Sequence, residues 1–350
     1  MTVIETSSAL KKQHLIDPEI CIRCNTCEAT CPVGAVTHDD NNYVVDAEKC
    51  NYCMDCISPC PTGSIDNWRV VRAAYSIDQQ FSWTELPEQT DLGGTSSAEL
   101  EALEDEVGAL LAKAHEGSGG KPIAPASAAS PAVNLFTRAN PAIAHVQGNF
   151  RITAPTAESD IRHIVLGFGG TAFPVLEGQS IGIAVPGRDA GSRPHDIRLY
   201  SVASERDGEK RNANNLALTI KRVPGGLASN FMCDLRVGDT VEVTGPFGAT
   251  FLMPNDPDVD VIMICTGTGS APFRAFTERR RRIAQHTPGK LVMFFGSRTP
   301  EELPYFGPLL KVPSSLLEKH LVFSRISGTP KEYVQDRMRV ESDRVAELLA

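Results

Sequence analysis

The chain has 350 residues, of which 41% are hydrophobic and 22% charged, and it carries a formal net charge of -9. That length holds two or three domains with ordinary cores, and the balance is that of a globular protein rather than a disordered or fibrous one. The acidity argues against a nucleic-acid surface, which depends on clustered Lys and Arg. No apolar run approaches a membrane span, so a soluble, cytoplasmic protein is predicted.

Near the N-terminus, Cys21, Cys24, Cys27, Cys31 and Pro32 are followed by Cys50, Cys53, Cys56, Cys60 and Pro61. This is C-x2-C-x2-C-x3-C-P written twice, the pattern of a module holding two [4Fe-4S] clusters. Each cubane cluster needs four converging thiolates, and in this spacing three come from one run and the fourth from the other. The spacing therefore predicts Cys21, Cys24, Cys27 and Cys60 on one cluster, and Cys50, Cys53, Cys56 and Cys31 on the second. Zinc sites do not repeat a run of three cysteines at this spacing. A disulfide framework would imply secretion, yet the N-terminus carries Glu5, Lys11 and Lys12 and no leader pattern. Residues 35–37 and 43–46 flank a polar turn at 39–42 and predict a short hairpin. Cys233 and Cys265 stand alone and are expected to be small buried residues.

Composition divides the chain into a ferredoxin module at 1–68, a flexible linker at 69–140, and further domains at 141–254 and 255–350. Glycines and the Pro/Ala/Ser stretch at 122–132 mark the linker. Within it, Leu100, Leu103, Val107, Leu110 and Leu111 recur at helical spacing, predicting one helix over 97–114 whose apolar stripe packs on its own domain. Alternating segments at 161–168, 180–185, 198–203, 216–223 and 240–244 predict a small antiparallel barrel. After residue 254 the rhythm becomes strand at 259–265, helix at 271–284, and strands at 290–296 and 320–324. Apolar runs joined by helices predict a parallel nucleotide-binding sheet. Four consecutive arginines, Arg279 to Arg282, are expected on a solvated helix face, with docking to an acidic redox partner as the alternative.

Two motifs point to nucleotides. Thr266-Gly267-Thr268-Gly269-Ser270-Ala271-Pro272 lies where an apolar strand meets a helix. Glycines there let the backbone approach a diphosphate, and the helix N-terminus offers free N–H groups. Arg198-Leu199-Tyr200-Ser201 places a cation, an aromatic face and a hydroxyl on one barrel strand. Gly225-Gly226-Leu227-Ala228-Ser229-Asn230 follows some way on.

Together these residues resemble the plant-type ferredoxin-NADP reductase family over about residues 145–350. The strings "EGQSIGI", "RLYSVAS", "KR", "SNFMCDL", "TGPFG", "MPNDP", "TGTGSAPFRAF", "FFGSRTP" and "YVQDRM" occur in the family's order. The resemblance implies a multidomain α+β fold: a ferredoxin-like two-[4Fe-4S] module, an antiparallel FAD-binding β-barrel and an α/β parallel-sheet NADP-binding domain. By family role, Arg198 and Leu199 belong to the FAD site, with Arg198 on the diphosphate and Tyr200 stacked on the flavin. Ser201 lies near the flavin's reactive nitrogen, and Gly226, Leu227, Ala228 and Ser229 resemble a second phosphate site. Thr266 lies close to the nicotinamide, so Ser201 and Thr266 are the expected catalytic residues. Gly267, Thr268, Gly269, Ala271 and Pro272 hold the NADP phosphates. Ser324, Arg325, Lys331 and Tyr333 correspond to the family's 2'-phosphate pocket, where two cations, a hydroxyl and an aromatic face suit NADPH over NADH.

A flavin accepts electrons in pairs and releases them singly, so the expected order is NADPH, FAD, the two clusters, then an acceptor. No His pair or Glu-x-x-His motif suggests an oxygenase iron in this chain itself. The whole layout resembles the reductase components of benzoyl-CoA 2,3-epoxidase systems. That resemblance implies a separate di-iron oxygenase acting on benzoyl-CoA as the protein partner. A general ferredoxin–reductase fusion serving other acceptors and a non-enzymatic electron-transfer subunit are the competing expectations. Family members continue past "YVQDRM" into a strand with a Cys-Gly pair, a helix and a C-terminal aromatic residue. The chain ending at Ala350 is therefore expected to be a fragment with an incomplete nicotinamide pocket, an exposed sheet edge and a weakened last domain.

Overall fold

A computed structural model of the chain describes residues 10–18, 21, 25–57, 60, 64–65, 67–90, 92, 102–103, 105–110, 124–189, 191–209, 213–283 and 289–349. The chain divides into two compact units, one built on residues up to Ile123 together with Gly187–Ile197, the other on Ala124–Pro186 and Arg198 onward.

The first unit contains β1 (Lys11–Leu15), α1 (Thr26–Thr30), β2 (Val36–His38), β3 (Tyr43–Val45), β4 (Asn67–Val71) and α2 (Ile77–Phe81). β2 and β3 form the predicted hairpin. Its turn is closed by the Asp39 carboxylate, which accepts from the backbone of Asn41 at 2.7 Å and Asn42 at 2.6 Å. β1 pairs antiparallel with β4, a ladder that hydrophobic alternation does not announce because buried Gln13 and His14 occupy β1. Gln13 is held there by two hydrogen bonds with the backbone of Tyr75, at 2.9 and 2.7 Å. Ile16, Val36, Tyr43, Val45, Met54, Ile57 and Ile65 form the core, joined by the cysteines.

Hydrogen-bonded structure reaches into both ends of the stretch predicted as linker, 69–140. Gln80 is buried and exchanges hydrogen bonds with the backbone of Val45 at 3.2 and 3.0 Å, Asn42 donates to the carbonyl of Trp83 at 2.7 Å, and Gln89 brackets Val70 at 3.0 and 2.8 Å. Polar side chains capping backbone, invisible to a hydrophobicity pattern, thus extend the first unit past residue 68. At the other end, Phe136 bridges Gly245 and the backbone of Asn134 donates to Pro246 at 2.8 Å, which ties 134–136 to the second unit. Of the predicted helix at 97–114, residues 102–103 and 105–110 are helical, the rest lies outside the described residues, and Leu110 packs on the cysteine-bearing core.

In the second unit, β5 (Ala142–Arg151), β6 (Ile161–Gly167), β7 (Ser180–Ala184), β8 (Arg198–Ser201), β9 (Asn215–Lys221) and β10 (Thr240–Phe247) form one antiparallel sheet in the order β8-β7-β10-β5-β6-β9. Its two ends meet through a bridge between Val202 and Leu218, closing the barrel. Ile164, Leu166, Ile181, Ile183, Leu216, Leu218 and Val243 fill the interior. After β9 comes α3 (Leu227–Asp234). β5 is the one barrel strand the sequence does not announce. Its burial alternates from 142 to 148, but the inward positions are the small Ala142, Ala144 and Gly148 with Val146, while Ile143 faces out, so the hydrophobic contrast is weak.

β11 (Val261–Thr266), α4 (Ser270–Ile283), β12 (Leu291–Ser297), α5 (Phe306–Leu310), β13 (Leu317–Phe323), α6 (Val334–Val340) and α7 (Ser342–Leu349) complete the unit, with a parallel sheet in the order β11-β12-β13. Central β12 is buried on both faces, as an unbroken apolar run requires. Met293 and Phe295 pack with Phe273 and Phe276 of α4, while Val292 and Phe294 pack with Val334, Met338, Val345 and Leu348 of α6 and α7.

The four arginines of α4 correct the expectation of a solvated face. Arg280 is fully buried and donates to the carbonyls of Pro257, Gly289 and Val259 at 2.9, 2.9 and 3.0 Å. Arg279 and Arg282, one helical turn apart, both pair with the buried carboxylate of Glu205. Arg281 alone is solvated, paired with Glu278 at 2.6 Å. Helical spacing sends the side chains to different faces, and three of them find buried acceptors.

Candidate functional site

The cysteines of the first unit share one core. Cys27 and Cys56 are buried within it, and Cys21, Cys31, Cys50 and Cys60 pack against it half-buried, while Cys53 is exposed. Cys24 lies outside the described residues. Burial pushes the Cys56 thiol up to about 12, with Cys50, Cys53 and Cys31 adding to the rise. Burial also raises Cys50, and Cys53 and Cys31 again contribute. Cys31, which the spacing assigns to the second cluster, is among the groups acting on Cys50 and Cys56. At Cys31 burial alone would raise the thiol, but backbone N–H groups of residues 33–36 outweigh it and lower it; that of Ala35 lies 3.2 Å from the sulfur.

No group of three or more described His, Cys, Asp or Glu side chains closes around a metal-ion position. The donor set nevertheless fits iron–sulfur clusters in its chemistry. Burial and neighbouring sulfurs disfavour the thiolate form, and bound cationic metal would stabilise it.

In the barrel, Arg198, Leu199, Tyr200 and Ser201 form β8. Arg198 is exposed, Tyr200 packs half-buried against the barrel core, and the Ser201 hydroxyl lies 3.4 Å from that of Ser180. Burial pushes the Tyr200 phenol up to about 12, so it stays neutral. Gly226 is the N-cap of α3 and provides no side-chain cap, leaving the first-turn N–H groups without one. Gly225 turns into it at φ 73° with open space where a Cβ would stand. A Cβ on Gly226 would meet the Ser229 hydroxyl at 2.6 Å. An uncapped helix start with an open backbone, on the same barrel as a cation and an aromatic face, fits a flavin dinucleotide.

The glycine-rich loop links β11 to α4. Thr266 is exposed at the strand end, Gly267, Thr268 and Gly269 form a single 3-10 turn, and Ala271 and Pro272 are buried in the first turn of α4. Gly267 has φ 51° and faces open space, so the backbone can approach a ligand there. A cavity of about 340 Å³ lies over the C-terminal ends of the parallel strands and contains Thr266 and Gly267 together with Ser324 and Tyr333. Its floor is Gly296, where a Cβ would come within 2.6 Å of Val334. This is the place where open parallel sheets bind nucleotides. Arg325 and Lys331 are exposed and do not belong to the cavity lining.

The cavity also holds residues to which no role falls from sequence alone. Lys221 enters from the end of β9, and Arg298 follows β12. Arg298 donates to Glu302 at 2.7 Å, Glu158 at 2.7 Å and the Ser159 hydroxyl at 2.8 Å, so it is committed to building the cavity wall. Lys221 and Arg298 are single cations at strand ends: Arg298 comes with the sheet's own β12, whereas Lys221 reaches the cavity from the barrel.

The class defined by this fold is a flavin reductase with a barrel and a nucleotide-binding sheet, preceded by an iron–sulfur module. Residues 13–64 match the family of 4Fe-4S dicluster domains, 170–251 the oxidoreductase FAD-binding domain and 263–350 the oxidoreductase NAD-binding domain. The chain is 37% identical over 230 residues to the cyanelle ferredoxin--NADP reductase of Cyanophora paradoxa, covering 61% of this chain and 62% of that protein. It is 33% identical over 237 residues to the ferredoxin--NADP reductase of Spirulina sp, covering 62% of this chain and 80% of the relative. The solved ferredoxin-NADP+ reductase of Plasmodium falciparum superposes with a TM-score of 0.52 at 26% identity, covering 62% of this chain and 83% of that one. The chain belongs to the ferredoxin-NADP reductase family, and its cofactors are iron–sulfur clusters, FAD and NADP(H). It spans 62% and 61% of the length of the first two curated relatives. Among the described residues, no helix is long and apolar enough to cross a membrane.

Proposed function

We propose that the protein is a cytoplasmic, NADPH-dependent reductase that delivers electrons one at a time to a separate redox protein. The observation that carries this reading is the cavity joining the glycine-rich loop at Thr266 and Gly267 to Ser324 and Tyr333. A mutant of the Plasmodium falciparum enzyme, 26% identical to this chain, is solved in complex with 2'P-AMP, a 2'-phosphorylated adenosine. In this chain, Gly267, Thr268 and Gly269 offer backbone to a diphosphate. Ser324, Arg325, Lys331 and Tyr333 take the adenosine end, with the two exposed cations closing on the 2'-phosphate as it arrives.

FAD, when bound, supplies exchange between the paired electrons of a nicotinamide and the single electrons of clusters. Arg198 neutralises its diphosphate, the α3 start receives a second phosphate oxygen, and neutral Tyr200 provides a flat apolar face. Ser201 and Thr266 flank the reacting rings and fix their orientation. Cys21, Cys24, Cys27 and Cys60 hold one cluster, and Cys50, Cys53, Cys56 and Cys31 the other.

For the acceptor we propose a di-iron oxygenase acting on benzoyl-CoA, on the resemblance of the whole layout to the reductase components of benzoyl-CoA 2,3-epoxidase systems. A ferredoxin-type acceptor is the second reading, favoured by the names of the relatives. Anaerobic NADPH addition to the reconstituted chain tests the first step: flavin bleaching with reduced-cluster EPR signals supports it, while reduction by dithionite alone sinks it. Adding purified benzoyl-CoA oxygenase or a plain ferredoxin then decides the acceptor by which one reoxidises the clusters at a saturable rate.

A further inference from the structure

Among the described residues, four buried side-chain polar atoms have no hydrogen-bond partner: Trp68 Nε1, Thr244 Oγ1, Arg279 Nε and Arg280 Nε. Both arginines donate through their other nitrogens. An indole has a single donor and no second outlet. Leaving that N–H unbonded in a dry core costs about 1–3 kcal/mol, so the position calls for an acceptor.

The ring is held firmly. Trp68 stands opposite His14 across the β1–β4 ladder and stacks on its imidazole, with ring centroids 4.6 Å apart and planes 7° from parallel. On Tyr52 it packs tilted at 5.7 Å. Each neighbour is itself tied down: His14 bonds the carbonyl of Ile65, and the Tyr52 hydroxyl donates to the carbonyl of Lys12 at 2.8 Å. Tyr52 lies between Cys50 and Cys53, and the indole packs on the core that also carries Cys21, Cys27, Cys31, Cys50, Cys56 and Cys60. The orphan donor thus sits on a ring that stacks on His14, leans on Tyr52 and packs on the cysteine-bearing core.

We propose that the Trp68 indole N–H donates a hydrogen bond to a sulfur of the cluster held by Cys50, Cys53, Cys56 and Cys31, and thereby raises that cluster's reduction potential. The inference rests on the cluster assignment above. Reduction adds negative charge to the cluster, so a donor to sulfur stabilises the reduced state more than the oxidised one. Trp68 is thus a tuning residue for this cluster.

The test is an EPR-monitored redox titration of the full reconstituted chain against its Trp68→Phe variant, which keeps an aromatic ring and removes the N–H. One cluster midpoint should fall, with about tenfold less reduced cluster at a given potential, or about 59 mV for a one-electron couple. The other cluster and the flavin should not move. Unchanged midpoints at full iron content overturn the proposal. Should the variant assemble no clusters, the wild-type bond is read directly. The chain has two tryptophans, so a Trp83→Phe background labelled with 15N-tryptophan reports on Trp68 alone in pulsed EPR of the reduced clusters. An indole 15N coupling supports the bond, and its absence sinks it. A wild-type chain that takes up no iron overturns the cluster assignment itself, a result read from iron content before any potential is measured.

Discussion

Arg274 of α4 grips Glu209 with both arms of its guanidinium, Nη1 to Oε1 at 2.7 Å and Nη2 to Oε2 at 3.0 Å. The same Nη1 donates to the carbonyl of Ala203 at 2.7 Å, and the guanidinium lies over the Tyr305 ring. Tyr305 in turn meets His163 at 2.9 Å and Thr219 at 2.7 Å. Barrel and nucleotide sheet are thus joined by a largely buried polar network rather than by apolar packing alone.

This network makes stability depend on acid in a defined window. Burial alone would raise the Glu209 carboxyl, but hydrogen bonds from His163 and Arg274 outweigh it and hold the group at about 2, below its ordinary 4.5. A depressed carboxylate contributes stability that is complete above 4.5 and is lost as pH falls towards 2, because the unfolded chain binds the proton first. The contribution is about 3 kcal/mol at neutral pH. Glu209→Gln should therefore lower the unfolding midpoint at pH 7, and the gap to wild type should narrow between pH 5 and pH 3. A gap independent of pH would show that the carboxylate charge contributes nothing.

Removing a ligand from the first cysteine run should cost the second cluster. The spacing assigns Cys31 to the cluster of Cys50, Cys53 and Cys56, so Cys31→Ser is expected to take iron from about eight to about four atoms per chain. The surviving EPR signal should belong to the cluster of Cys21, Cys24, Cys27 and Cys60. Loss of the signal that depends on Cys27 instead would reverse the assignment.

Preference for the phosphorylated coenzyme should reside in Arg325 and Lys331. Each charge-assisted contact to a phosphate contributes about 1.5–3 kcal/mol, which is roughly 10- to 100-fold in affinity. Arg325→Asp and Lys331→Asp should each raise KM for NADPH by that order while leaving NADH oxidation nearly unchanged. Equal losses with both coenzymes would place these side chains outside the 2'-phosphate site.

The cysteine runs and the glycine-rich loop are legible in sequence because ligand number and backbone approach fix residue type at fixed spacing. Strands such as 161–167 and 291–297 are legible because burial sets their apolar pattern. What escapes is structure held by polar groups. Buried Gln13, His14 and Gln80 look like surface residues until their backbone partners are seen, and β5 hides behind inward alanines and a glycine. The wall of the coenzyme cavity escapes for another reason. Arg298, Glu302 and Ser159 are brought together only by tertiary closure, since Ser159 and Arg298 are distant in the chain.

The arginine run is the sharpest case, and it predicts opposite results at adjacent positions. Arg280 is fully buried and bonds three backbone carbonyls, of Pro257, Val259 and Gly289. Replacing it with methionine keeps a long apolar stem but strands those carbonyls, at about 1–3 kcal/mol for each that water cannot reach. Arg281 is exposed and pairs only with Glu278 on its own helix, an arrangement that contributes about 0.3–0.5 kcal/mol. In thermal unfolding followed by flavin release, Arg280→Met should lose several degrees and Arg281→Met should stay within about one degree of wild type. Similar midpoints for the two variants would mean that the run is a solvated face after all.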